Sequence, residues 1–148
     1  MTNHHVSIGE VVATTDPSDQ IRMVGLGSCA GVFLVVPGRF AAAAHVLLPT
    51  KPPTDEAPPG KYADTAIPHL VTLLDRAGHD RDTARTTVVG GAQVFQFSGS
   101  RPEFEVGSRN TAEVIEQLNK LGFSIDYSDV GGNKARSLTV SVATGELV

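Results

Sequence analysis

Two apolar runs in the middle of the chain restrict its fold more than any other feature. Ala30 to Val36 contains no polar side chain, and Phe40 to Leu48 contains one, His45. A strand with one wet face alternates polar and apolar residues, whereas a strand covered on both faces reads as an unbroken apolar run. Pro37-Gly38-Arg39 separates the two runs and carries a turn signal. The expected result is a hairpin with a layer packed on each side. Such a hairpin brings the start of its first strand beside the end of its second. Cys29 and His45 would then lie close together.

The rest of the chain supplies the layers. At 148 residues it suits one domain over residues 1–148, because two separate cores of half that size would each be marginal. Eighteen valines against eight aromatics lean towards sheet. Val6, Ile8, Val11 and Val12 give a first rough alternation, ended by the turn cluster 14–19, and Ile21 to Leu26 gives a second strand. Five of the nine prolines fall between Pro49 and Pro59, which marks a surface loop. Ala63, Ile67, Leu70, Val71, Leu74 and Ala77 form a helical stripe stopped by Gly78. Pro68 fits that helix without strain if Thr65 caps it, and predicts a kink if the helix begins earlier.

Further strands are expected over 84–89, 93–97, 123–127 and 137–142. A second helix is expected to open at Asn110-Thr111 with Glu113 behind the cap and to end at Gly122. Gly131-Gly132-Asn133 suits a hairpin-type turn. The count is seven or eight strands and two main helices. This predicts an α+β fold, a layered α/β sandwich with largely antiparallel sheets.

Several function classes are disfavoured by composition. A net charge of −4 without any Lys/Arg cluster argues against a nucleic-acid partner. A single cysteine excludes an internal disulfide and a thiolate metal cluster, and no zinc or phosphate-loop spacing is present. No apolar stretch is long enough to insert in a membrane, and the first residues lack the basic and apolar regions of a secretory signal, so an intracellular, cytoplasmic location is expected. His4 and His5 are read as part of a mobile terminus, His69 as a residue of the first helix, and His79 beside Asp80 and Asp82 as part of a solvated charge group.

Two residues can carry chemistry. A free cysteine beside an apolar strand is more often a buried structural thiol than a nucleophile, and a lone histidine in a strand is more often a bonded core residue than a base. Against that stands the setting of Cys29. Gly25-Leu26-Gly27-Ser28 places the thiol at a strand's start, where the backbone N–H groups of the Gly27–Cys29 turn can face an oxyanion. A cysteine nucleophile needs a base, because only its thiolate attacks efficiently. His45, alone among four alanines, is the candidate base.

With these residues the chain resembles a known family. Gly25-Leu26-Gly27-Ser28-Cys29, Ala44-His45-Val46-Leu47-Leu48-Pro49 and Gly60-Lys61-Tyr62-Ala63-Asp64-Thr65-Ala66 are similar to motifs of the chemoreceptor glutamine deamidases, the CheD family. So are Gly90-Gly91-Ala92, Gly107-Ser108-Arg109-Asn110 and 129–137, in order and over nearly the whole chain. The resemblance implies a cofactor-independent hydrolase of chemotaxis that converts glutamine side chains of a chemoreceptor cytoplasmic domain to glutamate, releasing ammonia. It implies a fold similar to that of cytotoxic necrotizing factor deamidases, with Cys29 as nucleophile and His45 as general base. A CheC-type phosphatase is a further implied partner. Gly90, Gly91, Arg109, Asn110, Gly132 and Asn133 are motif positions expected near the pocket.

The chain departs from the family at one catalytic position. Met23 stands where the family has a threonine, and a thioether cannot donate a hydrogen bond to an imidazole. A backbone carbonyl or a nearby hydroxyl such as Ser28 must replace it, or turnover is slower. An alternative function is therefore a regulatory binding module for the phosphatase with little deamidation. A cysteine protease built on the same pair would instead cleave the receptor chain.

Overall fold

The computed structural model describes residues 1–93 and 105–148. Along the chain run β1 (Asn3–His5), β2 (Val11–Thr14), β3 (Gln20–Leu26), β4 (Ala30–Val36), β5 (Phe40–Val46), α1 (Ala63–Arg76), β6 (Arg85–Gly90), α2 (Val106–Lys120), β7 (Tyr127–Val130) and β8 (Arg136–Ser141). β4 and β5 pair antiparallel from Val36↔Phe40 at the turn to Ala30↔Val46 at the open end, and every residue of both strands is buried. They lie inside a five-stranded sheet of order β2-β5-β4-β6-β7, while β1-β3-β8 form a separate three-stranded sheet. β1–β3 and β6–β7 are parallel and the remaining pairs antiparallel.

The unbroken apolarity of the hairpin now has its cause. Successive strand residues point to opposite faces, and each face meets a different layer. Val32, Leu34, Ala42, Ala44 and Val46 pack with Ile67, Leu70 and Leu74 of α1 and Val114 and Leu118 of α2. Cys29, Phe33, Val35, Ala41, Ala43 and Val89 pack with Ile21, Met23 and Leu26 of β3 and Val140 of β8. Helices, large sheet and small sheet therefore form three layers around the hairpin.

Local structure departs from the sequence pattern in six places. Residues 6–12 are not one strand: Gly9 has φ +82°, Ile8 is exposed, and only Val11–Thr14 pairs, with Ala41 to Ala44. His4 and His5 are not loose, since Asn3–His5 pairs parallel with Gln20–Arg22. Tyr62, not Thr65, precedes α1, and Pro68 lies within the helix, while the Thr65 hydroxyl bonds the Pro59 and Tyr62 carbonyls. α2 begins at Val106, so Asn110 is an interior helical residue rather than a cap. The strand near 123–127 starts only at Tyr127, because Phe123 and Ile125 turn into the helical core.

The Gly131-Gly132-Asn133 turn is likewise no hairpin. β7 belongs to the large sheet and β8 to the small one, so this turn carries the chain between layers. Both glycines have positive φ, 81° and 73°, a conformation L side chains avoid. The strand expected over 93–97 falls, beyond Gln93, outside the described residues.

Candidate active site

The hairpin register decides which way His45 points. His45 pairs with Gly31, and Cys29 is two residues before Gly31 on the same strand path. Residues two apart share a face. Cys29 and His45 therefore project to the same side, towards the small sheet, at the open end of the hairpin. Gly31 between them has no room for a side chain: a β-carbon there would come within 2.9 Å of Leu26 Cδ1 and of Met23 Sδ. Met23 thus reaches this face too, but as a packed thioether.

The imidazole is oriented by main chain. His45 Nδ1 lies 3.0 Å from the carbonyl oxygen of Val6. A carbonyl only accepts, so Nδ1 carries the proton and Nε2 of the neutral ring is left as the acceptor. Nε2 is buried and has no hydrogen-bond partner among the described residues. The segment after β1 embraces the same residue from its backbone side as well. Gly9 N–H donates to the His45 carbonyl at 2.8 Å, and His45 N–H donates to the Glu10 carbonyl at 3.1 Å.

Electrostatics keep both groups uncharged at rest. Burial holds the His45 pKa below the ordinary imidazole value, and the Val6 carbonyl offsets only part of that. Burial pushes the Cys29 thiol up. Cys29 is 7% exposed while Ser28 beside it is exposed, so the thiol sits just beneath the surface at the end of the turn.

The Cys29 turn is clamped from the far side. Gly91 N–H donates to the Cys29 carbonyl at 2.9 Å, and Ala92 N–H to the Gly27 carbonyl at 2.8 Å. Gly90 and Gly91 are needed because the chains nearly touch. A β-carbon on Gly90 would run into the Cys29 carbonyl, and one on Gly91 into Thr111 of α2. These glycines let the bend pack directly against the Cys29 turn and α2. Asn110 is fully buried, and its side-chain nitrogen donates to the Ser28 carbonyl at 2.9 Å and the Leu47 carbonyl at 2.8 Å.

The remaining motif residues stand further back. Gly132 accepts from Gln93 N–H at 2.9 Å, and Gly131 N–H donates to the Gly90 carbonyl, also at 2.9 Å. Arg136 is ion-paired to Asp129 at 3.2 Å and bonds the same Gly90 carbonyl at 3.4 Å, so it braces the crossover. Arg109 and Asn133 are exposed, and no hydrogen bond among the described residues ties their side chains to the cysteine turn. A cleft of about 440 Å³ lined by Ile8, Val11, Leu47, Pro58, Lys61 and His69 opens beside β2, and neither Cys29 nor His45 lines it. Sequence reading missed Val6, whose contribution is a backbone atom and leaves no side-chain signal.

Comparison with known proteins completes the description. Residues 47–148 match the family model described as CheD chemotactic sensory transduction. The chain is 39% identical over 144 residues to a probable chemoreceptor glutamine deamidase CheD of Desulfitobacterium hafniense, covering 96% of this chain and 90% of that one. It is 37% identical over 145 residues to the chemoreceptor glutamine deamidase CheD of Thermotoga maritima, covering 97% and 88%. A similar protein of Methanococcus maripaludis is 33% identical over 144 residues, covering 97% and 91%.

Proposed function

The chain belongs to the CheD family, and from that premise we propose that it is a protein-glutamine glutaminase that deamidates chemoreceptor glutamines through a Cys29 thioester. The observation that carries the mechanism is the shared face of Cys29 and His45, with Nδ1 held by Val6 and Nε2 left to accept a proton. Met23 leaves no hydroxyl for orienting the ring, and the Val6 carbonyl performs that task. The ring thus has an orienting partner despite the missing threonine, which favours an enzyme over a pure binding module.

The steps follow from these groups. Nε2 of His45 takes the Cys29 thiol proton as the sulfur attacks the side-chain amide carbon of the receptor glutamine. Resting geometry need not hold this contact closed, because catalytic hydrogen bonds commonly tighten only around substrate. The carbonyl electrons move to oxygen, and backbone N–H groups of Ser28 and Cys29 receive the oxyanion. Loss of one such donor typically raises the barrier by about 3 kcal/mol. The tetrahedral adduct collapses to a thioester as the C–N bond breaks, and His45 returns its proton to the departing ammonia. Water, deprotonated by His45, then attacks the thioester. The C–S bond breaks, leaving glutamate and restoring the thiol.

Receptor cytoplasmic fragments incubated with wild type and with Cys29→Ala provide the test, read as the amide-to-acid mass change of intact fragment. Conversion is expected with wild type and none with the variant. Equal conversion by both removes Cys29 from the mechanism, and cleaved fragments would instead indicate a protease. The implied CheC-type partner is read separately, by binding of such a phosphatase to Cys29→Ala, which retains the surface of the wild type.

A further inference from the structure

Asn110 occupies an unusual place for its residue type. It sits in the second turn of α2, fully buried, where an asparagine is a poor helix former. Its two amide hydrogens go to two carbonyls from different segments, Ser28 at 2.9 Å and Leu47 at 2.8 Å. Since carbonyls cannot donate, the nitrogen must face them, which fixes the orientation of the amide. One acceptor belongs to the nucleophile's turn. The other lies two residues beyond His45. A single side chain thereby joins the strand of the base to the turn of the nucleophile.

The geometry of the Ser28–Cys29 peptide gives this contact a catalytic consequence. In a trans peptide the carbonyl and the following N–H point in opposite directions. Holding the Ser28 oxygen against Asn110 aims the Cys29 N–H away from α2. Among the described residues, that N–H has no acceptor outside the strand ladders. The close approach of α2 to the Gly90-Gly91 bend, where a β-carbon on Gly107 would lie 2.5 Å from the Gly91 oxygen, seats the helix so that Asn110 reaches both carbonyls.

We propose that Asn110 is a positioning residue for the oxyanion site: by holding the Ser28 and Leu47 carbonyls it aims the Cys29 N–H at the oxygen of the tetrahedral adduct. The proposal rests on Cys29 being the nucleophile of the deamidation above. Its signature is a split between two reactions of the same sulfur. Deamidation passes through an oxyanion, whereas alkylation by iodoacetamide is a direct displacement at a saturated carbon and forms none.

Asn110→Ala is therefore compared with wild type in both reactions at one pH. The expected result is a fall in deamidation kcat of roughly 100-fold at little-changed KM, with the alkylation rate of Cys29 near wild type. Equal loss in both reactions, or undiminished deamidation, overturns the proposal. Should the variant fail to fold, the wild-type protein answers instead: both side-chain amide protons of Asn110 are expected to exchange slowly with solvent, and rapid exchange overturns it. Undiminished deamidation by Asn110→Ala beside an inactive Cys29→Ala removes this proposal alone. Full activity of Cys29→Ala removes the thioester mechanism with it.

Discussion

A buried thiol and a buried imidazole on one face behave differently from a preformed ion pair. Burial disfavours the charged form of each, so Cys29 rests as the thiol and His45 as the neutral ring. A preformed ion pair would instead be alkylated well below the pH at which free thiols become inert. The structure predicts that iodoacetamide modification of Cys29 rises with an apparent pKa above the ordinary thiol value of about 8.5, measured as rate against pH. The activity profile has the complementary sign. As the proposed base, His45 works only when unprotonated, and burial holds it below its usual pKa. The acid limb of kcat/KM should therefore lie below about pH 6.5. A limb at or above that value would mean that the ring is more solvated in solution than its burial here implies.

The elements that carry Cys29 and His45 were legible because their signal is periodic and local. Two uninterrupted apolar runs with a turn between them specify a doubly covered hairpin, and the hairpin specifies that its open ends meet. What supports those ends was not legible, because it is long-range. Asn110 and Glu113 have the spacing of a cap, and only the packing of Gly107 on the Gly91 carbonyl shows that the helix starts a turn earlier. Val6 acts through an atom that every residue has. The terminal strand β1 gives no sequence signal in three residues, yet it is fastened by Asp19. That carboxylate receives the Thr14 hydroxyl at 2.6 Å, pairs with the His4 ring at 2.8 Å and accepts Thr2 N–H at 2.7 Å. The hydroxyl and the histidine lower its pKa to about 2.

This anchorage bears on His45, because Val6 directly follows β1. Asp19→Asn keeps an acceptor but loses the charge, and the freed segment weakens the bond from His45 to Val6. One ordinary hydrogen bond is worth about 1 kcal/mol, so kcat is expected to fall roughly fivefold. A stability signature accompanies it. A depressed carboxylate pKa contributes stability above the unfolded value near pH 4 and loses it as pH falls towards 2. The melting temperature of wild type should exceed that of Asp19→Asn at pH 6, and the two should converge between pH 4 and pH 2. A gap that persists at the lowest pH would assign the effect to shape rather than charge.

At the scale of the molecule, the central hairpin belongs to both cores at once. Leu34 and Ala44 face the helices, and their neighbours Phe33 and Ala43 face the small sheet. Among the described residues, Ile21, Met23 and Val140 of the β1-β3-β8 sheet share one core with Phe33, Val35, Ala41, Ala43 and Val89 of the large sheet. Two half-sized cores would each be marginal in a chain of 148 residues. Loss of either layer strips the hairpin of one apolar cover, and that exposure should pull the other layer down with it. The expected behaviour is a single cooperative transition in urea. Leu70→Ala on the helical side should cost about 3 kcal/mol and Phe33→Ala on the sheet side about 4 kcal/mol. Each should move the same midpoint with an unchanged slope, because the surface exposed on unfolding is the same. Hydrogen exchange of β3 and β8 amides decides between this and a modular molecule. In a cooperative fold their slowest protons share the opening free energy of β4, whereas a small sheet that opens at much lower free energy would mean that the site face can detach while the helical core persists.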